Sequence, residues 1–173
     1  MPPPTLHPDW NEWTFPLASI DFGHDMHLDI NASAVLLPNL LNAILGPYHQ
    51  VEAMAAKLGA ERRPLGTVDF TFVLPCECRR DAPPMVFTLG GGGKILLNPF
   101  DYIVPNTPGG HTGAMNAGET CRLALRPDGS VNWLFGSRFL NSHCISVDYD
   151  RRRIAFAKSL PSFSMLYNQL FLY

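Results

Sequence analysis

Apolar and polar residues alternate along most of the chain, in short stretches separated by prolines and glycines, which predicts a β-rich domain. Strands are expected in "EWTFPLASIDFG" at 12–23, in "TVDFTFVL" at 67–74, and in "MVFTL" and "KILLNPFDYIVP" on either side of a glycine-rich turn. Two more strand-rich stretches follow, "CRLALRPDGSVNWLFG" and "CISVDYDRRRIAFA". In the stretch after a turn at Gly23 and His24, the residues Met26, Leu28 and Ile30 point one way, while Asp25, His27, Asp29 and Asn31 point the other. Asp29 is thereby expected on a polar face.

Helical periodicity is confined to one region. It begins at Pro38 with "NLLNAIL", breaks at Gly46 and Pro47, and resumes as "YHQVEAMAAKLGA", where Gly59 would serve as the C-terminal cap.

The 173 residues suffice for one core, and no repeat or linker divides them. Hydrophobic residues make up 46% and charged residues 16%, the balance of a globular chain rather than a disordered one. A net charge of −2 argues against nucleic acid as a partner. The basic run Arg151, Arg152, Arg153 sits between strand-like stretches and is expected in a solvated hairpin turn. No apolar run approaches the length of a membrane span. "MPPPTLHPDW" has neither a basic start nor a signal-peptide core, so an intracellular location is expected for the chain as written, and a secreted one if it is a fragment of a longer precursor.

Several stretches invite chemical readings. "LGGGGKI" lacks the glycine spacing and the hydroxyl residue of a phosphate-binding loop and is expected to be a hairpin turn. His24, Asp25, His27 and Asp29 are dense enough for a metal site, but alternate residues on a strand stand roughly 7 Å apart, which is loose for one ion. A polar turn and cleft edge is the competing reading, and no metal or other cofactor is expected. Cys76-Glu77-Cys78 lacks the two-residue spacer of redox or zinc pairs. Ser33 and Ser137 have no nucleophile elbow around them, and His143 and Cys144 would face opposite sides of a strand.

Residues 133–157, "WLFGSRFLNSHCISVDYDRRRIAFA", resemble the closing segment of pepsin-like aspartic proteases, the A1 peptidase family: a tryptophan, two apolar residues and glycine, an apolar strand, an aspartate before a hairpin, and a final apolar motif. "PPMVFTLGGGGKILLNPFDYIV" resembles the family's C-lobe hairpin, and the helical stretch after "LLP" resembles the helix that follows its active-site loop. The resemblance covers residues 10–157, leaving 1–9 as an N-terminal extension and 158–173 as an apolar C-terminal one. It implies a mainly β, single pepsin-type (acid protease) lobe with one or two short helices, and a disulfide between Cys76 and Cys121.

On this pattern "DINASAVLLP" occupies the catalytic loop, and Asp29 stands at the catalytic aspartate. Ile30 replaces a hydroxyl residue, Asn31 replaces a glycine that lets backbone approach the carboxylate, and Ala155 replaces a glycine of the closing motif. Asn31 and Ser33 would line the binding side of this loop. Aspartic proteolysis needs two carboxylates sharing a proton, and one lobe supplies one. A homodimer or a separate N-terminal lobe would have to provide the other. The resemblance thus implies an aspartic endopeptidase homologue degenerate for peptide hydrolysis. Its alternatives are a repurposed fold acting on a small molecule through Asp29 and His27, or a pseudoprotease that binds a peptide or partner in the old cleft.

Overall fold

The computed structural model describes residues 5–7, 12–36, 42–67, 69–106, 118–151 and 153–159. A long hairpin organises the largest sheet. After β1 (Thr5–His7), β2 (Glu12–Phe22) turns through residues 23–25 into β3 (Met26–Leu36). Gly23 takes φ +72° in that turn, a conformation that disfavours any residue with a Cβ. Trp13, Phe15 and Leu17 are buried, and so are Ile20 and Phe22, so the inward phase of β2 slips by one residue between Leu17 and Ile20. The register gives the cause. Leu17 pairs with Ala32 and Ser19 with Asp29, leaving Ala18 opposite both Ile30 and Asn31 in a β-bulge.

The chain continues through β4 (Ile44–Pro47) into α1 (Tyr48–Lys57), which buries Val51, Met54 and Ala55. Gly59 donates to the Ala56 carbonyl and Ala60 to that of Ala55, closing the helix in a Schellman motif with Gly59 at φ +66°. The helical periodicity placed before Gly46 is corrected here: Ile44 and Leu45 form a strand between two others, and residues 37–41 lie outside the described residues. A short apolar run carries no mark of helix or strand, and pairing partners far along the chain decide it.

Next come β5 (Glu61–Leu65), β6 (Asp69–Pro75), a 3-10 turn (Cys76–Arg79), β7 (Met85–Leu89), β8 (Lys94–Leu97), α2 (Pro99–Tyr102) and β9 (Ile103–Pro105). "LGGGGKI" forms the turn between β7 and β8. The stretch "KILLNPFDYIVP" is interrupted by α2, which starts at Pro99 where a proline's fixed φ suits a first helical position. The remaining elements are β10 (Thr120–Leu123), β11 (Leu125–Asp128), β12 (Trp133–Phe135), α3 (Ser137–Leu140), β13 (His143–Asp148) and β14 (Arg153–Lys158).

Among the described residues three sheets form. The largest runs β11-β4-β12-β3-β2-β7-β8, with β1 beside β2; a second runs β5-β6-β10-β9; and β13 pairs with β14 alone. This is the mainly β lobe expected from the alternation. β12 lies parallel to β3 and antiparallel to β4, which places Trp133 and Phe135 at the centre of the core. Phe87 packs edge-on against both, at 5.2 and 5.0 Å between ring centroids. Phe135, Phe139 and His143 continue as a stack. Burial of each large ring contributes about 2–3 kcal/mol. A disulfide joins Cys76 at the end of β6 to Cys121 on β10, closing a 45-residue separation.

Candidate active site

The turn at residues 23–25 folds β3 back on β2 so that His27 stands directly opposite Asp21, and Asp29 opposite Ser19. Directly paired residues project to the same face. With Ile20, Leu28 and Ile30 turned toward the core, His27, Asp21 and Asp29 face outward. The same rows run on across the sheet: Asp21 neighbours Val86 and then Leu96, while Ser19 neighbours Thr88 and then Lys94.

On this face the imidazole of His27 lies between two carboxylates. Its Nδ1 is 2.5 Å from Asp21 Oδ1 and its Nε2 is 3.2 Å from Asp29 Oδ1. An imidazole with a carboxylate at each nitrogen is best satisfied as the imidazolium, which donates to both. Hydrogen bonding to Asp21 first, and to Asp29 second, raises the His27 pKa above its ordinary value of 6.5. The Asp29 side chain is 96% exposed and that of Asp21 38%. Asp25, at the turn, pairs instead with Lys57 of α1, which holds its carboxyl below the usual range. Asp25 therefore lies in the turn, off the strand face that His27 and Asp29 share.

Asp29 and the residues that follow it lie within β3, and the other candidate residues have separate fates. Ile30 is 6% exposed and belongs to the core. Asn31 falls in the bulge, and its side chain lies outside the described residues. The Ser33 amide donates to Asn132 Oδ1 at 3.2 Å, tying β3 to the turn before β12. Ser137 opens α3. Cys144 is an exposed free thiol while His143 is buried, so the two face opposite sides of β13.

Asp21 was not singled out by motif reading. Its signal was the symmetry of "DFGHDMH": a turn centred on His24 sets residue 21 against residue 27. Among the described residues, no helix is long and apolar enough to cross a membrane.

The family model of eukaryotic aspartyl proteases matches residues 8–159. No curated protein matches the chain.

Proposed function

Because the chain belongs to the eukaryotic aspartyl protease family, we propose that it forms a lobe of that family degenerate for peptide hydrolysis through Asp29. The observation that carries this reading is the His27 ring held between Asp21 and Asp29. In the aspartic dyad two carboxylates share one proton directly, one activating water and the other protonating or binding the carbonyl oxygen. Here the Asp21 carboxylate is separated from Asp29 by an imidazole whose proton affinity the two carboxylates raise. Burial of Ile30 supports the same reading, since that side chain offers no hydroxyl to brace an opposing loop. Peptidase activity would need a carboxylate from a two-fold partner copy or from a separate N-terminal lobe.

A second reading draws on the same triad. An imidazolium open to solvent between two carboxylates can serve as a general acid, suited to a small molecule rather than to a peptide held in a deep cleft. In a binding role, the polar row of Asp29, Ser19, Thr88 and Lys94 would receive a peptide or a partner. The Cys76–Cys121 disulfide favours an oxidising compartment over the intracellular one expected from the N-terminal residues.

The test is peptide hydrolysis between acidic and neutral pH, with and without a transition-state inhibitor of aspartic proteases, for wild type and Asp29→Asn. No inhibitor-sensitive, Asp29-dependent cleavage is expected. Cleavage that the inhibitor blocks and the variant loses would overturn the proposal, and the oligomeric state recorded alongside would locate the second carboxylate.

A further inference from the structure

A second cluster of charge lies apart from the triad, around α2. Arg79 ends the 3-10 turn that begins at Cys76, and Arg122 follows Cys121, so the disulfide brings the two arginine-bearing segments together. Arg79 is only 9% exposed, and its guanidinium carbon sits 4.3 Å from the centroid of the Phe100 ring. Its Nε–H is buried and has no hydrogen-bond acceptor. From the other side, Arg138 of α3 donates through Nε to the Asp101 carbonyl at 2.8 Å and through Nη2 to the Phe100 carbonyl at 2.9 Å. Two guanidiniums thus hold the same residue, one by its ring and one by its backbone.

Among the described residues none of Arg79, Arg122 and Arg138 has a carboxylate within salt-bridge distance. The two acidic groups whose charge reaches Arg79 are Asp101 and Glu119. The Asp101 carboxylate is turned back to accept from the Asn98 amide at 2.8 Å, capping α2. Desolvation lowers the proton affinity of both Arg79 and Arg138; repulsion from Arg138 adds to it at Arg79, and repulsion from Arg122 at Arg138. Buried donors are almost always satisfied, and clustered like charges cost free energy unless an opposite charge joins them. A chain of net charge −2 that sets two guanidiniums on one residue, and leaves the buried Nε of Arg79 without an acceptor, has a place for an anion.

We propose that Arg79 and Arg138 across Phe100 form a binding site for a phosphate-type oxyanion. Arg79 has its Nε–H unspent, and Arg138, whose Nε and Nη2 hold backbone carbonyls, keeps the N–H groups of Nη1 for the oxygens of such a group, whose negative charge the two guanidiniums complement. Phe100, a 51% exposed residue, would pack against whatever carries the phosphate. The site is independent of Asp29.

The experiment is a titration of the full chain with inorganic phosphate at constant ionic strength, with chloride as the comparison. The Arg79 and Arg138 Nε–Hε signals are followed by NMR, with the thermal midpoint alongside. Saturable displacement of both signals by phosphate and not by chloride is expected. Binding should weaken about tenfold or more in Arg79→Gln and in Arg138→Gln, the scale of one charge-assisted hydrogen bond, and stay unchanged in the surface variant Arg63→Gln. A response that never saturates, an equal response to chloride, or full affinity in folded Arg79→Gln would overturn the site. Should that variant fail to fold, the wild-type signals still decide. A parallel titration with phenyl phosphate separates two sources: tighter binding than phosphate points to a phosphomonoester on a larger ligand, and equal binding to the free ion.

Discussion

Gly46 lies so close to Trp133 that a Cβ at position 46 would come within 2.7 Å of the indole ring. The contact joins β4 to β12, and the indole is fixed from its other end by a 2.9 Å hydrogen bond from Nε1 to Gln50 Oε1. A ring held at both ends has no room to yield. Gly46→Ala is therefore expected to cost about 1–3 kcal/mol, the usual scale of overpacking, measured by urea unfolding. In a Trp133→Leu background, where the ring is gone, the same substitution should cost much less.

The hydrogen bonds on both sides of His27 make a titration prediction. Its pKa, read by NMR, should exceed 6.5, and should fall further in Asp21→Asn than in Asp29→Asn because Asp21 is the larger influence. A folded-state pKa above the unfolded one stabilises the fold below about pH 6.5, and that contribution disappears as pH rises through the folded value. Asp21→Asn should thus lower stability relative to wild type at pH 5–6 and match it at alkaline pH. Equal effects at both ends would refute the pairing.

His143 carries the opposite sign. It is buried, stacks on Phe139 with ring centroids 4.5 Å apart, and is pushed below 6.5 by desolvation. Its contribution is present above about pH 6.5 and is lost as pH falls through the lowered folded value. In His143→Phe, which keeps the stack and removes the titration, the decline of stability from pH 6.5 toward 4 should be shallower than in wild type.

Opening the disulfide gives a third energy scale. For a cross-link of 45 residues, the chain-entropy account predicts a loss of about 3–4 kcal/mol on replacing Cys76 and Cys121 by serine. Thiol counting on the native protein should find two reactive groups after unfolding, Cys78 and Cys144, with Cys144 reacting first in the folded state because it is exposed.

Which parts were legible beforehand follows from where the information resides. β2, β3, β6, β7 and the β13–β14 hairpin were readable because each buries one face, and alternation is the trace of that burial. β5 left no such trace: all five residues of "ERRPL" are exposed, and the strand exists through its pairing with β6 and the stacking of Arg62 on Phe70 at 3.6 Å. β4 was misread as helix because its partners, β11 and β12, lie some eighty residues onward. At the candidate site, Asp29 and His27 were found from motif and face. Asp21 needed the turn to be folded, and the unsatisfied Nε of Arg79 has no counterpart in sequence at all.

Among the described residues β13 pairs with β14 alone, which makes the hairpin separable. It is fastened to the rest by side chains, above all Phe156 against Phe15 and Phe139, rather than by a shared ladder of backbone bonds. Such a fastening can release in one step, the way a zip fastener's slider comes off its track, while β2 and β3 stay paired. Amide exchange should register this as a common opening rate across β13 and β14, faster than that of β2 and β3, and Phe156→Ala should accelerate the hairpin without touching the others.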